Sequence, residues 1–85
     1  MFEKRKLRKQ IQQSKDKIYE LEQRRARSQA ALVSALLKHE VPRDEDVDYF
    51  NHFSAKIDEE RDHLRRISEE YEALLHHGTS PKISD

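Results

Sequence analysis

The chain of 85 residues has no cysteine and no tryptophan, one glycine (Gly78) and two prolines (Pro42 and Pro81). Without cysteine there is no disulfide framework and no thiolate metal site, and a reducing compartment, the cytoplasm, is the expected location. One glycine leaves no glycine-rich loop to cradle a phosphate. No apolar run approaches the ~20 residues that span a bilayer. The start, MFEKRKLRKQIQQ, carries a basic cluster with no apolar segment behind it, so neither export by a signal peptide nor membrane insertion is expected. No Ser-His-Asp set or paired carboxylates in a cleft stands out, the five histidines suggest no metal site, and neither an enzyme nor a cofactor is expected.

What is present is charge and helical periodicity. Charged residues make up 40% of the chain and hydrophobic ones 34%, a balance typical of long solvated helices. A chain this short forms one domain at most and buries too little surface to be more than marginally stable alone. From Lys4 to about His39 apolar residues recur at helical spacing as Leu7, Ile11, Ile18, Leu21, Leu32 and Leu36, with Ser14 and Ser28 filling steps of the seam. A second series follows as Phe50, Phe53, Ile57, Leu64, Ile67, Tyr71 and Leu74, interrupted at Glu60.

Between them lies KHEVPRDEDVDYF, residues 38–50. Pro42 lacks a backbone donor and biases Val41 away from helix, so the first helix is predicted to stop near His39 or Glu40. Asp44 is the predicted N-cap of the second helix, with Glu45, Asp46 and Asp48 near the positive end of its dipole. Gly78 and Pro81 mark its end. The expected architecture is all-α: a long antiparallel coiled-coil-like hairpin over 1–78, with helices at about 4–39 and 44–77, a turn at 40–43 and a flexible tail over 79–85. A turn centred on Val41 and Pro42 pairs residues whose numbers sum to about 83, which sets Arg24 and Arg25 beside Asp58, Glu59 and Glu60.

Charge supports folding back. Residues 1–27 carry ten Lys and Arg against four acids, and residues 40–75 carry five against twelve. An antiparallel pair cancels much of this and leaves a basic open end (Lys4, Arg5, Lys6, Arg8, Lys9) and an acidic turn. The basic patch invites a nucleic-acid reading, which the zero net charge and the acidic second helix oppose. Apolar and aromatic side chains near the turn exceed what one partner helix can cover. Ala30, Val33, Leu37, Tyr49, Phe50 and Phe53 are therefore the candidate contacts for a second copy, as a homodimeric bundle, or for another helical protein.

Two short stretches carry resemblances. SAKID, Ser54 to Asp58, is similar to the Ser-Gln-Glu-Leu-Asp motif of small helical-hairpin phosphatases that act on aspartyl phosphates of sporulation response regulators. Ser54, Ile57 and Asp58 match, while Lys56 stands where the family has an acid. The resemblance implies a hairpin regulator acting on a response regulator. DHLRRI, Asp62 to Ile67, resembles the phosphoacceptor stretch of histidine-kinase dimerisation hairpins, without the proline that follows there. The reading preferred from the residues is a non-enzymatic interaction module: a small adaptor, chaperone or inhibitor-like protein.

Overall fold

The computed structural model describes residues 2–83, with side chains described for residues 3–76. It consists of two helices, α1 (Phe2–Leu37) and α2 (Asp44–Ile83), packed against each other as an antiparallel hairpin. The expected all-α hairpin is the fold that forms. Its extents of 66 × 22 × 15 Å and radius of gyration of 19.4 Å describe a rod, since a globular chain of this length has a radius near ~12 Å. It exposes 6896 Å², against about 5,300 Å² for a compact protein of this mass.

The turn is built by backbone chemistry that composition does not advertise. α1 ends at Leu37, two residues before the expected stop, because His39 adopts φ 60° in place of glycine. In that left-handed cap the His39 amide donates to the Leu36 carbonyl at 3.0 Å and the Glu40 amide to the Ala35 carbonyl at 2.8 Å. Entry into α2 also differs by one position from the sequence reading. The Arg43 carbonyl accepts from the amides of Asp46 (3.0 Å) and Val47 (3.1 Å), so Arg43 is the N-cap and Asp44 opens the first turn. The Arg43 guanidinium donates to the Glu45 carboxylate beside it. Asp44, Glu45 and Asp46 then sit at the positive end of the helix dipole.

Along α1 the inward positions are Leu7, Ile11, Ser14, Ile18, Leu21, Arg25, Ser28, Leu32 and Ala35, each buried or half-buried. Along α2 they are Phe50, Phe53, Ile57, Glu60, Leu64, Ile67, Tyr71 and Leu74. Both series step alternately by three and four residues, the spacing of a coiled-coil seam. Ala35 takes the last inward step of α1, and Leu36, expected in the seam, is 62% exposed on its flank. The core is thin: Leu7, Ile57 and Ile67 are the buried apolar side chains among the described residues.

The register departs from the symmetric-turn expectation. Superposing the two series pairs Leu7 with Tyr71, Ile11 with Ile67 and Leu21 with Ile57, whose numbers sum to 78 rather than 83. The cross-helix contacts straddle this value, with Glu60 on Ser14 and Lys17, Arg61 on Glu22, and Arg25 over the ring of Phe50. Arg24 and Arg25 therefore do not face Asp58 to Glu60. The cause lies in the connection: residues 38–43 lie outside both helices, and a non-helical residue can advance up to about twice as far as a helical one. The chain thus crosses over and runs back along α1 before α2 begins. At the far end α2 continues past Gly78 and Pro81 to Ile83, whereas the sequence places its stop near His77. One glycine costs only ~1 kcal/mol in a helix, so Gly78 alone does not stop α2, and continuation past Pro81 adds a cost of ~3 kcal/mol from the missing donor and the ring. The remainder of the expected tail, residues 84 and 85, lies outside the described residues.

Candidate interaction surface

A polar cluster sits in the middle of the seam. Ser14 is 3% exposed and its hydroxyl donates to Glu60 Oε2 at 2.7 Å, while Lys17 Nζ approaches Oε1 of the same carboxylate at 3.5 Å. Burial pushes the Glu60 pKa up, but the Ser14 hydroxyl and the Lys17 ammonium together outweigh it and hold the group below the usual carboxylate range. The next residue of α2, Arg61, bridges to Glu22 across the helices at 2.5 Å. No buried side-chain polar atom among the described residues lacks a partner. His63 lines the same groove as Glu60, at a spacing used in helical metal sites. Lys17 lines the same groove, and no trio of ligating side chains occurs among the described residues.

The apolar candidates divide into two groups that the fold does not bring together. On α1, Ala30, Val33 and Leu37 are exposed, and lie nearly opposite the inward positions Leu32 and Ala35 on the helical wheel. They therefore face away from α2. Leu37 is 76% exposed and Val33 45%. On α2, Phe50 and Phe53 are half-buried in the seam and Tyr49 is exposed beside it. The Tyr49 and Phe53 rings stack at 6.3 Å, and His52 packs edge-on against Phe53 at 5.3 Å. Arg25 covers Phe50 at 6.0 Å, while Arg24, Arg27 and Ser28 complete a groove with Tyr49 and Phe53. The aromatic group is thus partly spent within the hairpin, and the α1 group is not.

The outward series on α1 is longer than the sequence reading had it. Tyr19, Gln23, Ala26, Ala30, Val33 and Leu37 are all exposed and all uncharged. Their spacing, four and three residues in alternation, is that of a second seam. The signal was legible in the spacing, but Gln23 and Ala26 hid the continuation from Ala30 back to Tyr19 from a search for apolar residues.

The basic patch lies on the first turns of α1, where Arg5, Lys6, Arg8 and Lys9 are exposed and Lys4 is half-buried. Lys6 shares a groove with Glu3, Glu70 and Leu74, so acidic groups accompany the cations there. Ser54 is half-buried and Asp58 exposed one turn later on α2. Arg65 bonds Asp62 and reaches Glu69 at 3.6 Å, and Arg66 reaches Asp62 at 3.2 Å, a ladder of surface pairs. No helix among the described residues is long and apolar enough to cross a membrane. No protein-family model matches the chain, and neither a curated protein nor a solved structure shows significant similarity to it. The functional reading therefore rests on the surface of the hairpin.

Proposed function

We propose that this chain is a non-enzymatic interaction module of the cytoplasm, a small helical adaptor, chaperone or inhibitor-like protein that docks through the outward face of α1. What supports the reading is the uncharged stripe from Tyr19 to Leu37, which faces away from α2 on a hairpin with three buried apolar side chains among the described residues. In a chain that is 40% charged, an uncharged outward strip of five turns is a costly arrangement unless something covers it. Each large apolar side chain withdrawn from water contributes about 1.5 to 3 kcal/mol, comparable with the margin by which a short hairpin stays folded.

The test is the double variant Val33→Glu/Leu37→Glu. Glutamate is a good helix former and both sites are exposed, so circular dichroism should match the parent. Association, measured as molar mass by light scattering for the chain alone and mixed with host extract, should be lost. A parent that stays monomeric and binds no host protein would sink the interaction reading.

A further inference from the structure

We infer that the occupant of the α1 stripe is the same stripe of a second copy, laid antiparallel about a two-fold axis beside residue 28; this rests on the interaction reading above. Three observations carry it. The first is that the stripe is self-complementary when reversed. With numbers summing to 56, Tyr19 meets Leu37 of the other copy, Gln23 meets Val33, and Ala26 meets Ala30. The bulky residues fall at the two ends and the small ones at the centre, so the helix backbones approach closely where the axis passes and the large side chains close the ends. Such a pairing is isologous and closes on itself, which gives a dimer and not a filament.

The second observation is area. Tyr19 (65% exposed), Val33, Leu37 and the flanking Leu36, with the two alanines, present surface on the order of 500 Å² per copy, so pairing buries about 1,000 Å², the lower bound for a specific interface.

The third is charge, which decides the direction. In the reversed arrangement Glu40 lies level with residue 16 of the other copy. Glu40, in the acidic turn, is then level with Lys15 and Lys17 against Asp16, while the first turn of α2 lies behind α1, away from the other copy. A parallel pair instead sets acidic turn against acidic turn and basic end against basic end. Arg27, the one cation flanking the centre of the stripe, lines the groove with Tyr49 and Phe53 of its own hairpin.

The arrangement has a measurable shape. Two rods of 66 Å, overlapping for about 35 Å between each turn and residue 16 of the other copy, make a particle roughly 95 Å long. A parallel, in-register dimer has nearly the length of one hairpin. The full chain is examined by light scattering for mass and by small-angle X-ray scattering for maximum dimension, beside Val33→Glu/Leu37→Glu and a milder variant, Ala30→Arg. The expected result is a dimer near 95 Å that both variants convert to monomer with helicity unchanged. A dimer close to 66 Å long, or one that survives both variants, overturns the inference. A monomeric parent also overturns it, and the interaction reading then stands or falls separately on whether a host protein binds the parent and is lost from the double variant.

Discussion

His39 carries the sharpest local departure from ordinary backbone preference, a left-handed φ of 60° in a residue with a Cβ. Such a conformation costs about 1–2 kcal/mol in a non-glycine residue, and it persists because two amide hydrogen bonds close the end of α1 around it. Glycine adopts it freely but gives up more backbone freedom on folding, which recovers part of the gain for the unfolded chain. His39→Gly should therefore raise stability by about 0.5–1 kcal/mol, seen as a melting temperature higher by roughly 2–8 °C. No change, or a loss, would mean that the His39 side chain contributes something its exposed position does not show. The capping role was not legible in the sequence, because the usual marker of a left-handed cap is glycine and the only glycine lies at position 78.

Helix pairing is specified by a polar step in an otherwise apolar seam. The heptad spacing alone tolerates a slip of seven residues, since every inward position then meets another inward position. In the observed register Glu60 receives the Ser14 hydroxyl and the Lys17 ammonium, and a slip removes both. Replacing the pair, Ser14→Ala/Glu60→Leu, should raise stability by about 1–3 kcal/mol, because an apolar pair of similar volume needs no desolvation of charge. It should also admit other registers, read as extra cross-links between cysteines introduced for the purpose. The pH profile checks the same point. A carboxyl group whose pKa is lower folded than unfolded gives stability that is complete above its ordinary value near 4.5 and is lost as pH falls through the folded value. The double variant should lose that part of the acid-side decline. A variant with one register and an unchanged acid limb would show that Glu60 fixes nothing.

At the scale of the whole molecule the governing fact is surface. The rod leaves 6896 Å² in water and, among the described residues, fully buries one large side chain, Ile57. A hairpin of this kind gains stability by mass action when it associates, because a partner binds the folded state and not the unfolded one. For the parent chain the melting temperature should rise by a few degrees with each tenfold increase in protein concentration. Val33→Glu/Leu37→Glu should melt at one temperature throughout. Equal, concentration-independent melting of both would place the hairpin among chains stable alone.

The sequence by itself determined that there are two helices, that they fold back on each other, and which α2 residues face inward. These follow from local rules: uninterrupted helix formers, proline and acidic residues at the break, and apolar side chains every three to four residues. Register was decided only by tertiary structure. It depends on how far the six residues between the helices carry the chain, and on which partner satisfies a half-buried carboxylate, and neither is a local property. The same holds for the candidate surface. Ala30, Val33 and Leu37 could be picked out as apolar, but they are separated from Phe50 and Phe53 because one seam face of α1 is already occupied by α2. Packing turned one apolar half of a hairpin into a filled face and an open one.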